Sequence, residues 1–154
     1  RVDMIYQPYA FLIDNVIHID IKKGCIFRID SVDKNNELSL GILYLNDTMM
    51  SLLSYLLIHA QKRYITKEEV LIKVWDENNL SSSGTRLWQV FTTLKQKLAL
   101  LHLPENLIEY EKRKGYIIKH ENILTLYYKE TENSQLTVSA VKQRRASTFI
   151  SLHQ

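Results

Sequence analysis

The sequence LWQVFTTLKQKL, residues 87–98, constrains the fold of this 154-residue chain more than any other stretch. Its apolar residues recur at spacings of three and four, which is typical of a helix with one buried face. With its neighbours included, the pattern predicts an amphipathic helix from Ser83 to Leu101. The apolar stripe consists of Leu87, Val90, Phe91, Leu94, Leu98 and Leu101.

The opposite side of this helix is polar and carries no negative charge. No acidic residue occurs between Gly84 and Pro104. Because residues three and four apart share a helix face, Arg86 and Lys97 follow one flank of the polar side and Lys95 follows the other. Between the flanks lie Thr85, Gln89, Thr92, Thr93 and Gln96. We assign Thr92 and Gln96 to ordinary solvated helix surface.

Two shorter helices are predicted before it. The first begins at a cap on Asn46 or Asp47 and presents a stripe that runs from Met49 to Ala60. The second begins near Lys67, where Thr66 and Glu69 form a T-x-x-E capping box, in which each side chain satisfies the other's backbone amide. Residues 76–79, Asp-Glu-Asn-Asn, disfavour helix and predict a loop before the long helix.

A cationic hairpin is predicted after the long helix. Pro104 ends the helical region, and residues 107–110 and 116–118 have the composition of strands. The turn between them contains Lys112, Arg113, Lys114 and Gly115. Residues 84–120 hold seven basic and three acidic side chains, a net charge of +4, whereas the rest of the chain is slightly negative because the whole chain has a net charge of +3.

The two ends of the chain differ from its middle. Alternating residues near 17–21, 25–29 and 38–44 predict three or four strands of a small antiparallel sheet. We therefore divide the chain into an N-terminal sheet over 1–45, a helical core over 46–120 that belongs to the same domain, and an extension over 121–154. The extension is expected to hold one extra strand near 123–126 and then a flexible basic tail.

Composition narrows the class of protein. Cys25 is the single cysteine, which excludes an intramolecular disulfide, and no Cys/His cluster has the spacing of a metal site. The glycines form neither a dinucleotide fingerprint nor a phosphate-binding loop, and the histidines lack a partner pattern for catalysis. We therefore expect no metal, no cofactor and no enzymatic activity. The lone cysteine favours a reducing cytoplasm, and the longest apolar stretch, Met49 to Ala60, is too short to cross a bilayer.

The order of helix, loop, polar helix and basic hairpin suits the grooves of B-form DNA. The major groove admits one α-helix, and its base edges can be read by Arg, Gln and Thr side chains. Arg86, Gln89 and Thr93 are the candidate readers. Lys112, Arg113 and Lys114 are placed to neutralise phosphates, which strengthens binding without reading sequence.

Several of these stretches, in this order, resemble the OmpR/PhoB-type winged helix-turn-helix, most closely its membrane-linked ToxR/CadC-like members. The match runs over about residues 10–120 and rests on Leu45-Asn46-Asp47, TKEEVL at 66–71 with Val74-Trp75, residues 87–98 and Lys114-Gly115-Tyr116. The resemblance implies an α+β fold with an N-terminal antiparallel sheet, three helices and a C-terminal β-hairpin wing.

The resemblance also implies contact residues. Positions that match the family's base contacts are Thr85, Arg86, Gln89 and Thr93. Positions that match its backbone and wing contacts are Trp75, Lys95, Tyr110, Lys112 and Arg113. The chain departs from the family in a helix poorer in arginine and in the bulky Trp88. Trp75 also has the spacing of a buried core residue, and that alternative stays open.

The predicted function is therefore sequence-specific binding of double-stranded DNA by a transcription regulator, with a homodimer on DNA implied by the resemblance alone. The alternative is a winged-helix interaction module that docks on RNA polymerase or a co-regulator. Lys142, Arg144 and Arg145 raise one further hypothesis, a membrane tether whose apolar helix would follow Gln154. A disordered basic tail explains that cluster equally well.

Overall fold

The structure is a computed structural model, and it describes residues 6–29, 40–78, 83–130, 136–142 and 148–152. The chain divides into two compact units. One, the sheet unit, comprises residues 1–42 and 121–154; the other, the helical unit, comprises residues 43–120.

The sheet has seven strands, which span Tyr6–Ile13 (β1), Ile17–Asp20 (β2), Cys25–Ile29 (β3), Leu40–Tyr44 (β4), Ile123–Glu130 (β7), Leu136–Lys142 (β8) and Thr148–Leu152 (β9). Their spatial order is β4-β3-β2-β1-β7-β8-β9. Strands β1 and β2 pair antiparallel, as do β2 with β3, β1 with β7, β7 with β8 and β8 with β9.

Alternation along the strands fixes which face is buried. Phe11 lies opposite Ile19 and Ile13 lies opposite Ile17, and all four side chains are fully or almost fully buried. Side chains alternate between the two faces of a strand, so apolar residues at every second position gather on one face. The alternation that predicted β2 therefore also sets its register against β1, a strand that the sequence analysis did not predict.

The C-terminal extension corrects one prediction. A single extra strand and a flexible tail were expected over 121–154. Instead, β7 lies beside β1 within the sheet, and residues 136–142 and 148–152 form β8 and β9. The sequence Leu-Thr-Val-Ser-Ala-Val at 136–141 alternates apolar with mainly small polar residues and contains residues that favour strands, so the strand pattern was present in the sequence. Arg144 and Arg145 lie outside the described residues.

The helical unit has the predicted order of three helices and a hairpin. Helix α1 spans Asp47–His59 and α3 spans Gly84–Leu100. Helix α2 spans Lys67–Val70, widens into a π-helical turn over Leu71–Trp75 and tightens into a 3-10 turn over Asp76–Asn78. The hairpin consists of β5 (Glu109–Glu111) and β6 (Gly115–Ile117). The predicted α+β winged helix is confirmed.

A short polar side chain begins each helix. The first is Asn46, whose Oδ1 accepts a hydrogen bond from the amide of Met49 at 2.8 Å. Thr66 Oγ1 accepts one from the amide of Glu69 at 3.1 Å. Ser83 Oγ accepts one from the amide of Arg86 at 3.0 Å. Each bond satisfies an amide that has no partner within its helix, and such a cap contributes about 1 kcal/mol.

The capping box at α2 is only half formed. Glu69 does not turn back to the amide of Thr66. Its carboxylate accepts hydrogen bonds from Tyr55 Oη at 2.7 Å and from two nitrogens of Arg63 at 2.9 and 3.0 Å. A guanidinium can bind both carboxylate oxygens at once, and this charged pair replaces the weaker bond to a backbone amide. Glu69 thereby links α1, α2 and the loop between them.

We predict that this network makes folding stability depend on pH. The hydrogen bond from Arg63 lowers the pKa of Glu69 below its ordinary value of 4.5 in the folded protein. The stability that the carboxylate contributes is therefore complete above about pH 4.5 and is lost as the pH falls through the lower, folded-state pKa. Urea unfolding of Glu69→Gln at neutral pH should show a loss of about 1 kcal/mol.

The control is Glu68→Gln, which removes an exposed carboxylate from the same turn of α2. The wild-type protein and Glu68→Gln should lose stability alike between pH 5 and 3, and Glu69→Gln should lose less. Identical pH profiles for all three proteins would contradict the role given to Glu69.

Candidate nucleic-acid interface

The outer face of α3 presents the four side chains that the sequence proposed as base readers. Thr85, Arg86, Gln89 and Thr93 are all exposed. The opposite side of the helix is buried through Leu87, Val90, Phe91, Leu94 and Leu98. Because a packed stripe fixes the rotation of a helix, its outer face points to solvent over its whole length.

The hairpin is attached to the helical unit by reciprocal backbone hydrogen bonds. The amide of Tyr116 donates to the carbonyl of Ile65 at 2.8 Å, and the amide of Ile65 donates to the carbonyl of Tyr116 at 2.9 Å. The amide of Ile118 donates to the carbonyl of Ala60 at 2.9 Å. The ring of Tyr116 also meets that of Phe91 edge to face, with centroids 4.8 Å apart. These contacts hold the hairpin beside the first part of α2 and beside α3.

Gly115 makes this attachment possible. Its φ of +118° is a conformation that residues with a side chain rarely adopt. A Cβ at this position would also collide with the backbone carbonyl of Ile65. The glycine in the Lys-Gly-Tyr sequence is therefore required by the close approach of two backbone segments.

Two positive charges at the tip of the hairpin stay unpaired within the described part of the chain. Lys112 and Arg113 are exposed, and Arg113 occupies the left-handed region with φ of 69°. Lys114 differs, because its Nζ lies 3.9 Å from a carboxylate oxygen of Glu111 and 5.4 Å from the ring centroid of Tyr64. Lys112 and Arg113 therefore provide the charge that a phosphate would meet first.

Acidic residues at the base of the hairpin are matched by cations. Lys119 Nζ lies 3.4 Å from Glu111 and 3.6 Å from Glu109. A hydrogen bond with Tyr64, together with Lys119, lowers the pKa of Glu111. Glu111 is therefore ionised at neutral pH, and it offsets Lys119 and Lys114. The excess positive charge of the hairpin is consequently concentrated at its tip.

A groove of about 450 Å³ separates α3 from the hairpin. One stripe of α3 lines it, together with Lys67 at the first turn of α2 and two tyrosines of the hairpin. Trp88 is 65% exposed and Tyr110 is 40% exposed. The lining residues are Lys67, Gly84, Trp88, Phe91, Thr92, Lys95, Gln96, Tyr110 and Tyr116.

Four residues assigned from the sequence, Trp75, Thr92, Lys95 and Gln96, lie in the core or along the groove. Trp75 is only 2% exposed and belongs to the core, so the contact with the DNA backbone carried over to it is not supported by its burial. Lys95 faces the groove, with its Nζ 5.6 Å from the ring centroid of Phe91. Thr92 and Gln96, which were assigned to plain helix surface, line the same groove.

Sequence reasoning missed Lys67 and Trp88 as site residues. Lys67 was interpreted only as the start of α2, yet its Nζ lies 5.5 Å from the ring centroid of Tyr110 on the hairpin. Trp88 was treated only as a departure from the family pattern. An exposed tryptophan at a helical position next to the buried stripe was the available signal, because exposed aromatic residues often mark binding surfaces.

Among the residues that the structure describes, no group of three or more His, Cys, Asp or Glu side chains could hold a metal ion. No helix in the described ranges is long and apolar enough to span a membrane.

Comparison with known proteins gives a structural match without a sequence match. No protein-family model matches the chain, and no curated protein does so either. The solved structure of the DNA-binding domain of E. coli CadC is similar in fold, with a TM-score of 0.50 at 16% sequence identity. The match covers 74% of this chain and 94% of that one. The fold is therefore shared with that winged-helix domain.

We predict that Gly115→Ala displaces the hairpin. The added methyl group forces a strained backbone and a collision with Ile65, so the free energy of unfolding should fall by about 2–4 kcal/mol. Thermal or urea unfolding measures the loss.

Gly84→Ala is the matched control, since nothing lies within 4 Å of a Cβ at that position. Alanine at this helical position should leave stability unchanged or raise it by up to about 1 kcal/mol. Equal effects of the two substitutions would show that Gly115 carries no special constraint.

Proposed function

We propose that this chain is a sequence-specific, double-stranded DNA-binding domain of a transcription regulator. The observation that carries the proposal is the pairing, within one unit, of an acid-free outer face on α3 with two unpaired cations at the hairpin tip. The fold that it shares with the DNA-binding domain of E. coli CadC supports the same conclusion.

In this proposal α3 enters the major groove. Its width accepts one helix, and base pairs there present distinct patterns of donors and acceptors. Gln89 can bind adenine through two hydrogen bonds, Arg86 can do the same with guanine, and the methyl groups of Thr85 and Thr93 can contact thymine. No acidic side chain on this face would repel the flanking phosphates.

The hairpin contacts the sugar-phosphate backbone or the adjacent minor groove. Lys112 and Arg113 displace condensed counterions when they approach phosphates, so they contribute affinity that depends on salt. Lys114 contributes less, because Glu111 and Tyr64 already engage its ammonium group.

The alternative function is that of a module that binds another protein. A docking face for RNA polymerase or a co-regulator does not require an acid-free helix beside unpaired cations. Selection of bound duplexes from a random DNA pool decides between the two functions, because DNA reading predicts one enriched motif and the alternative predicts none. Dimerisation on DNA, contact with RNA polymerase and a membrane tether stay predictions from the sequence.

We predict that Lys112→Ala and Arg113→Ala weaken binding to all duplexes alike. Each substitution removes one phosphate contact, so the slope of log K against log salt should become shallower by about 0.9 per residue. Fluorescence anisotropy at several salt concentrations measures the slope. Lys62→Ala removes an exposed charge after α1 and should leave it unchanged. A slope that does not respond to the hairpin substitutions would remove the hairpin from the interface.

We predict a different signature for Gln89→Ala. Loss of a bidentate contact should cost about 1–3 kcal/mol at one base pair and relax preference there, with little change in the salt slope. Repeating the selection with the variant measures the change. An unaltered motif would assign sequence reading to residues other than Gln89.

A further inference from the structure

The groove between α3 and the hairpin has a preformed aromatic floor. Phe91 and Tyr116 are almost completely buried, and their rings meet edge to face. The ring of Tyr110 lies 4.9 Å from that of Tyr116, so three rings support one another. Trp88 rises from the helix side with most of its surface exposed. A flat apolar molecule can therefore contact the exposed rings of Trp88 and Tyr110 without prior rearrangement of the protein.

The charge around this floor has one sign. Lys67 and Lys95 hold their ammonium groups near rings of the groove, one at Tyr110 and the other at Phe91. Neither lysine forms an ion pair with a residue that the structure describes, and no acidic side chain is among the described residues of the lining. The groove therefore complements a negative charge.

The volume of the groove between α3 and the hairpin matches that of sites that bind small molecules. Such sites typically enclose about 300–1,000 Å³ and combine an apolar lining with a few placed polar groups. The groove encloses about 450 Å³, and Thr92 and Gln96 add two hydrogen-bonding side chains to the two lysines. The volume fits a molecule of two or three fused or linked rings.

We propose that this groove binds a small planar organic anion, an aromatic ring system that bears a carboxylate or sulfonate. The ring system lies between Trp88 and Tyr110, and the anionic group pairs with Lys67 or Lys95. A ligand in this position fills the space between α3 and the hairpin. The bound ligand also lowers the affinity of the protein for DNA. This consequence, unlike the binding itself, rests on the proposed DNA-binding function.

The direct test uses 8-anilinonaphthalene-1-sulfonate as the probe and N-phenyl-1-naphthylamine, the same rings without the sulfonate, as its neutral match. Direct excitation of the naphthalene rings reports the bound probe, so the signal does not depend on Trp88, the residue that the variants below replace. We expect saturable binding of one sulfonate per chain and binding of the neutral compound at least threefold weaker. Equal affinity for the two compounds, or no saturable binding, would overturn the proposal.

Variants locate the probe. Trp88→Ala changes an exposed side chain and should abolish saturable binding, while Lys67→Gln with Lys95→Gln should raise Kd roughly three- to tenfold. Lys62→Gln is the matched loss of charge outside the groove and should have no effect. Circular dichroism and thermal unfolding confirm that each variant folds. Binding that survives both groove variants would place the probe elsewhere and refute the assignment.

Competition separates the two proposals. Addition of the sulfonate should weaken binding of the selected duplex to the wild-type protein, with no such effect on Trp88→Ala. If the wild-type protein binds no DNA, the proposed function fails, and groove-dependent probe binding still supports the site. If DNA binds and the probe, bound in the groove, does not weaken it, the proposed antagonism is refuted.

Discussion

The reciprocal hydrogen bonds between Ile65 and Tyr116 are the constraint on which the site depends. They join the hairpin to the chain just before α2, so three segments that are distant in sequence meet in one place. Gly115 permits the close approach, and the ring of Tyr116 continues the contact to Phe91 on α3. Without this junction the hairpin cations and the outer face of α3 would not share a fixed geometry. The groove between them would not exist either.

The two surfaces of the proposed interface, the hairpin tip and the outer face of α3, differ in charge and in proposed role. The hairpin tip concentrates positive charge because carboxylates neutralise its base, which suits phosphate contacts that set affinity. The outer face of α3 is largely uncharged, which suits hydrogen bonds that discriminate among base pairs. The aromatic groove lies between these two surfaces. A molecule bound in the groove would therefore lie beside both the residues proposed to set affinity and those proposed to discriminate among base pairs.

Much of the fold was predictable because its signals are local. The spacing of Leu87, Val90 and Leu94 predicted α3, and the structure confirms helix starts where a cap at Asn46 or Asp47 and another at Thr66 were expected. The groove was not predictable, since it depends on the approach of Lys67, Trp88 and Tyr110 from separate segments. Strands β8 and β9 were not predicted, although Leu136, Val138 and Ala140 recur at every second position in β8. The capping box is only half formed because Arg63 binds the carboxylate of Glu69, and the spacing of Thr66 and Glu69 gives no sign of this competing partner.

An amide chemical-shift map of the protein with its selected duplex tests most directly whether helix and hairpin contact DNA together. We expect the largest shifts at the exposed face of α3, including Thr85 and Gln89, and at Lys112 and Arg113 on the hairpin. We expect small shifts at α1 residues such as Leu53. Shifts confined to α1, or to the hairpin without α3, would contradict the claim that helix and hairpin contact DNA together.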